Sequence, residues 1–206
     1  MVEQFASSPP NPELMAFAAT ELKCNENNRL LDIGCGAGSN AVPLARMGWN
    51  VLGLDLSDPM LQAANRRAQE EDLTACLQFA RAPMEQLPVE DCSFDFIVAH
   101  GIWNLAGSAT EFRQAVREAA RVARSGAALF VFTFSRNTLP LETTPVPREQ
   151  FVFTEFSGAP QCFLTEVQLV EELSDAGFVQ EPSTSIREYS QTANRPAIYE
   201  GIFRRI

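Results

Sequence analysis

The stretch Leu30-Leu31-Asp32-Ile33-Gly34-Cys35-Gly36-Ala37-Gly38-Ser39 restricts what this chain can fold into more than any other. An apolar run with an acidic residue near its end breaks abruptly into alternating glycines, and a helix-compatible segment follows from about Asn40 to Met47. Glycine lacks a Cβ and reaches positive φ without strain, so such a loop turns sharply and lets a ligand approach bare backbone. The first N–H groups of the helix that follows have no intrahelical partner, which makes them a seat for polar or anionic atoms. A strand, a glycine loop and a helix in this order form a nucleotide-type unit of an α/β sheet.

Two spacings compete over which nucleotide. The dinucleotide fingerprint G-x-G-x-x-G would put its third glycine at Ser39. The chain reads G-x-G-x-G instead, with Asp32 two residues before the first glycine. Downstream, Val51-Leu52-Gly53-Leu54-Asp55 is a second apolar run ending in a carboxylate. A carboxylate there can accept from both hydroxyls of a ribose, and its distance from the loop suits NAD as well as other nucleosides. Asp55 therefore does not separate the two.

With 206 residues the chain suits one domain, 1–206, with a sizeable core. Its 46% hydrophobic and 20% charged residues are ordinary for a soluble globular protein. No apolar run approaches a membrane span, and the start MVEQFASSPPNP does not read as a signal peptide, so a cytoplasmic protein without membrane partners is expected. A net charge of −10 argues against a broad nucleic-acid footprint. Five scattered cysteines (Cys24, Cys35, Cys76, Cys92 and Cys162) form no C-x-x-C or Cys/His cluster, so neither a metal site nor a disulfide framework is indicated. His100 is the sole histidine, and any chemistry that needs an imidazole must use it.

Along the chain, residues 1 to about 12 read as a flexible lead, and a helix follows with Asn11 at its N-cap and Pro12 at its first position. Strands are expected over about 29–33, 50–55, 77–80, 94–99 and 127–134, with helices from about 40 to 47, 57 to 71 and 110 to 123. Residues 135–163 form a long, proline-bearing, lid-like insertion, and Thr165 opens a helix closing at Ala176-Gly177. Two strand-like runs, about 178–189 and 196–205, end the chain; with no helix between them they pair antiparallel. The expected fold is α/β: a doubly wound, mostly parallel sheet of seven strands with an antiparallel terminal strand and helices on both faces.

The pieces Leu31 to Gly38, Gly53-Leu54-Asp55-Leu56-Ser57 with Met60, Leu87-Pro88, Ser93 to Val98 and Val122 to Ala127 together resemble the class I S-adenosylmethionine-dependent methyltransferases. The likeness is nearest to the small-molecule subgroup of quinone-biosynthesis and tellurite-resistance enzymes. It implies the strand order 3-2-1-4-5-7-6, S-adenosylmethionine as cofactor and a small-molecule substrate. An NAD-dependent oxidoreductase and a non-catalytic cofactor-binding protein are the alternatives.

On that resemblance, Gly34, Cys35, Gly36 and Gly38 would hold the methionine part of the cofactor, with Asp32 beside its amino group. Asp55 would take the ribose, and Leu56 and Met60 would pack on the adenine. An Asp common in relatives before Leu-Pro is replaced by Pro83, which shifts adenine recognition to Met84 and Glu85. His100 would line the cofactor pocket or act as the catalytic base; a structural histidine is the competing reading. Trp103 and Asn104, at the carboxyl edge of the sheet, and Phe151 and Phe153, in the insertion, would face the substrate. Packing is the plain alternative for Trp103, and a satellite cluster anchoring the loop is the alternative for the phenylalanines. Phe5 in the lead is a candidate to close the opposite side. Histidine poverty suits an anionic nucleophile (a thiolate, phenolate or oxyanion) that needs no protein base.

Overall fold

The structure, a computed structural model, describes residues 8–24, 27–190 and 196–206. Residues 1–7 of the expected lead, Phe5 included, lie outside the described residues. Helix α1 (Pro12–Glu21) opens as expected: the Asn11 side chain accepts from the N–H groups of Glu13 and Leu14. The chain then alternates: β1 (Arg29–Ile33), α2 (Ala41–Arg46), β2 (Asn50–Asp55), α3 (Asp58–Glu70), β3 (Leu77–Arg81), β4 (Phe94–His100), α4 (Ala109–Val122) and β5 (Ala123–Phe134). After the insertion, which carries β6 (Val152–Phe153) and β7 (Gln161–Cys162), come α5 (Glu166–Asp175), β8 (Phe178–Gln180), β9 (Arg187–Ser190) and β10 (Ala197–Arg205).

The sheet runs β3-β2-β1-β4-β5-β10-β8, with β9 also on β10. Strands β1 to β5 are parallel, and β10 is antiparallel to β5, β8 and β9. The expected order holds once the two terminal runs are read as strands 6 and 7. The expected single run over 178–189 is split, giving eight strands in place of seven. Pro182 has no N–H to give a ladder, and a turn closed by Thr184 N–H on the Glu181 carbonyl carries the chain outward. It rejoins where Arg187 faces Glu200, four residues of slack after Gln180 faces Phe203. Strand β5 also starts earlier than expected, because Ala123 pairs with Phe94 before a bulge around Gly126.

Alternation along β4 and β5 builds two cores. Ile97, Ala99, Leu129 and Val131 face α4 and α5 together with Trp103 and Phe112. Phe96, Val98, Phe130 and Phe132 face α1 and α2 with Leu14 and Trp49. Burying a large apolar side chain contributes roughly 1.5–3 kcal/mol, so these two layers hold the sheet between its helices. By the same alternation His100, two residues beyond Val98, falls on the α1 side. Among the described residues no helix is long and apolar enough to cross a membrane.

The insertion is folded back onto the sheet. Its ends meet where Ser135 bridges Leu164, and β6 pairs antiparallel with β7. Phe163 stacks on Phe134 at 5.3 Å and meets Phe153 edge-on at 6.1 Å, and with Leu139 these form a satellite core.

Candidate active site

Because the strand order places β1 between β2 and β4, the carboxyl ends of these three strands converge on the glycine loop. Gly34 and Cys35 donate their N–H groups to the Leu54 carbonyl at 2.7 and 2.9 Å. Gly36 donates to Asp55 Oδ2 at 2.9 Å, and Ser57 donates to Asp55 Oδ1 at 2.8 Å. One carboxylate therefore holds both the glycine loop and the start of α3. Gly34, Gly36 and Gly38 all lie in the left-handed region, with φ of +73°, +54° and +76°. A Cβ on Gly36 would meet nothing within 4 Å, whereas one on Gly34 would lie 2.6 Å from the Ile102 side chain. The loop is thus open over Gly36 and covered at Gly34.

Asp32 is 1% exposed, and its Oδ2 has no partner among the described residues. Burial, and secondarily the nearby Asp55 charge, push its carboxyl up to about 8, so it carries its proton at neutral pH. Burial first, then Asp32 and Asp55, raises the Cys35 thiol well above its ordinary range, which leaves it unreactive. Leu56 is exposed at the exit of β2, and Met60 and Glu85 are half-buried. Met84 is buried in the core, so only its backbone is free to face a ligand.

At the end of β4, the His100 ring stacks on Phe132 with centroids 4.1 Å apart. Its Nε2 lies 3.4 Å from Asn11 Nδ2. Asn11 Oδ1 already faces two backbone N–H groups of α1, so the amide can turn only its NH2 toward the imidazole. Nε2 is then an acceptor, and His100 is neutral with its proton on Nδ1. Burial dominates in holding its pKa down to about 4, against the opposing effects of its own backbone and Glu200. The nitrogen nearest α1 is already engaged.

Trp103 and Asn104 are both buried, and Trp103 Nε1 and Asn104 Oδ1 have no partner among the described residues. Phe151 packs edge-on against Phe112 at 5.3 Å inside the main core, and Phe153 lies in the satellite core under Arg136. Both rings are structural in this conformation. The structure thus brings together Asp32, the glycines, Asp55, Leu56 and His100, and sets the two phenylalanines apart. It adds Asn11, Asn40, Ile102 and Glu200, whose sequence contexts carry no ligand signature.

The sequence profile of a family described as a methyltransferase domain matches residues 31–131, from within β1 to within β5. Over that span the chain is similar to this methyltransferase family. It is 34% identical over 119 residues to the ubiquinone/menaquinone biosynthesis C-methyltransferase UbiE of Bartonella quintana, covering 56% of this chain and 44% of that protein. The chain spans less than half the length of these curated relatives. Among solved structures, a SAM-dependent methyltransferase of Methanosarcina mazei superposes with a TM-score of 0.77 at 23% identity, covering 97% of this chain and 99% of that one. The 1,6-didemethyltoxoflavin-N1-methyltransferase of Burkholderia thailandensis, solved with bound 1,6-didemethyltoxoflavin and S-adenosylhomocysteine, gives a TM-score of 0.71 at 16% identity over 93% of this chain and 77% of that one. These likenesses support the fold, and the family match sets aside the dinucleotide reading that Asp55 left open. The matched span holds the glycine loop, Asp55 and His100, whereas Asn11 and Glu200 lie outside it.

Proposed function

We propose that this protein transfers a methyl group from S-adenosylmethionine to a small-molecule nucleophile, releasing S-adenosylhomocysteine. The observation that carries the reading is the open backbone over Gly36, held by Asp55 on one side, with the unpartnered Asp32 Oδ2 close by. A buried carboxyl oxygen without a partner is costly, and a ligand amino group would satisfy it. Gly34, Cys35, Gly36 and Gly38 would hold the amino-acid part of the cofactor, and Asp55 the ribose. Leu56 and Met60 would cover the adenine, with Glu85 and the backbone of Met84 at its edge.

S-adenosylmethionine, when bound, supplies a sulfonium methyl group that a nucleophile displaces in line. The protein's part is alignment and exclusion of water. Asn104, with its buried and unpartnered Oδ1, is the side chain here best suited to orient an acceptor by a hydrogen bond. Trp103 would back it, and Phe151 and Phe153 would hold the insertion in place as the wall behind the site. His100 serves as a neutral wall residue, because its Nε2 faces an amide donor. The acceptor then arrives ionised, as a thiolate, phenolate or oxyanion does, or as an activated carbon. We read the whole chain, 1–206, as one domain working in the cytoplasm, where the free thiols of Cys35, Cys76, Cys92 and Cys162 would persist.

Calorimetric titration with S-adenosylmethionine, S-adenosylhomocysteine and NAD tests the reading. Micromolar binding of the first two and none of NAD is expected; binding of NAD alone overturns it. Turnover against a panel of thiols, phenols and oxyanions then separates an enzyme from a binding protein.

A further inference from the structure

Asn11 sits 9% exposed just before α1, and it uses every polar atom of its side chain. Its Oδ1 accepts from Glu13 and Leu14 N–H, both at 3.0 Å, which is all that capping a helix requires. The rest of the residue does something else. Its NH2 donates to Glu200 Oε2 at 2.7 Å and faces His100 Nε2 at 3.4 Å, and its backbone N–H donates to Asn40 Oδ1 at 3.0 Å. Asn40 occupies the N-cap position of α2, yet its side chain caps nothing there. Its oxygen is spent on Asn11 instead.

The sheet register explains how one amide reaches both strands. His100 on β4 faces Phe132 on β5, and Phe132 faces Glu200 on β10, so the three residues form a row across the sheet. Asn11 spans that row, bridging His100 and Glu200 on either side of Phe132. The ionisable groups facing this point are Glu200 from β10, Tyr189 and Arg187 from β9, which both bond Glu200, and Glu13 from α1, which pairs with Arg187. Two residues past His100, the Ile102 side chain presses on Gly34. Asn11 therefore touches both walls of the crevice: the exit of the glycine loop through Asn40, and the exit of β4 through His100.

We propose that Asn11 is a positioning residue for the cofactor crevice, fixing the glycine-loop exit and the β4 exit in one register and holding His100 in its Nδ1–H form. The inference rests on the methyltransferase reading of the crevice. It assigns to the segment ahead of the matched family span a part in cofactor binding, exerted through Asn40 and His100.

The test uses the full chain with Asn11→Ser, which keeps a capping oxygen and loses the amide, and Asn11→Asp, which keeps cap and shape but replaces the NH2 donor with a carboxylate facing Glu200. Two quantities are read: affinity for S-adenosylhomocysteine by calorimetry at pH 8, and the nitrogen and Cε1 proton shifts of the chain's one imidazole across pH. In the wild type the imidazole is expected in the Nδ1–H form down to about pH 5. In both variants affinity should fall at least fivefold, His100 should titrate at higher pH, and the Nε2–H form should appear in Asn11→Ser. A pure capping role leaves affinity unmoved in both variants and the imidazole unmoved in Asn11→Ser; in Asn11→Asp the new charge beside Nε2 raises the imidazole pKa in either case, so there affinity decides. Affinity within twofold of wild type, or an unchanged imidazole, in either folded variant overturns the proposal, and Asn11→Asp carries the test should Asn11→Ser not fold. A wild-type protein that binds neither cofactor form refutes the methyltransferase reading itself, and the positioning role falls with it. Wild-type binding with unmoved variants refutes this inference alone.

Discussion

The backbone N–H of Gly36 donates to Asp55 Oδ2 at 2.9 Å, so the carboxylate at the end of β2 builds the very loop whose ligand it would share. Its other oxygen holds Ser57 N–H at 2.8 Å. Each carboxylate oxygen keeps a further lone pair, so holding the loop and accepting from ribose hydroxyls are compatible.

Asp55→Ala should therefore show two losses together. It leaves the Gly36 and Ser57 N–H groups without their acceptor, for about 1–3 kcal/mol of stability. Cofactor binding should weaken by a further ~1–3 kcal/mol, since charged hydrogen bonds to the ribose go too. Urea unfolding and calorimetry on the same preparation separate the two. A variant that loses stability but keeps wild-type affinity would leave Asp55 as a loop support only.

Gly36 and Gly34 should respond differently to the same methyl group. Both lie at positive φ, where a side chain costs roughly 1–2 kcal/mol. Gly36→Ala adds a Cβ to open space, so its main effect should be on the ligand: affinity down at least tenfold with modest loss of stability. Gly34→Ala drives a Cβ to 2.6 Å from Ile102, and overpacking brings the cost to about 2–5 kcal/mol in all. Thermal melts with and without S-adenosylhomocysteine distinguish a blocked crevice from a strained fold.

The glycine loop, the parallel strands and the carboxylates at their ends were readable in the sequence because each is announced locally. Apolar runs bounded by glycine and proline mark strands, and a carboxylate closing such a run falls at the sheet's carboxyl edge whatever lies far away. The split of β8 from β9 was equally local in cause, a Pro182 turn, but a short apolar run does not announce where its ladder pauses. Burial was harder. Phe151, Phe153, Trp103 and Met84 read the same whether they face a ligand or a core, and only packing against Phe112, Phe163 and their neighbours decides it. The Asn11–Glu200 bond joins residues 189 apart, and no periodicity or spacing carries such a pairing.

Asp32 makes the stability of the ligand-free protein depend on pH in an unusual direction. In the fold its carboxyl titrates at about 8, while an unfolded Asp titrates near 4. Between those values the folded state binds more protons, so this contribution is full below about pH 4 and is lost as pH rises through about 8. His100 acts in the opposite sense at lower pH. Its folded value of about 4 lies below the ordinary 6.5, so its effect raises stability with pH only between those values. From pH 6.5 to 8 the Asp32 slope stands alone. Unfolding free energy should fall over that window in the wild type, and Asp32→Asn should flatten the profile. A bound ligand amino group, by favouring the charged carboxylate, should flatten it too. A flat wild-type profile without ligand would mean that Asp32 is ionised in the fold.

The phenylalanines of the insertion make the last contrast. Phe163 is fully buried, stacked on Phe134 and touched edge-on by Phe153 and Phe156, whereas Phe156 is 45% exposed. If the 135–163 segment is anchored by its own small core, Phe163→Ala should cost about 3–5 kcal/mol, as removal of a buried ring does. Phe156→Ala should cost under about 1 kcal/mol, the range for a side chain half in water. Urea midpoints read both directly. If the insertion instead moved as a rigid flap hinged at Ser135 and Leu164, truncating Phe163 would leave global stability nearly untouched and would appear only as faster proteolysis within 139–163. A large loss for Phe163 with near-silence at Phe156 therefore makes this segment part of the folded body, with its conformation set before any ligand arrives.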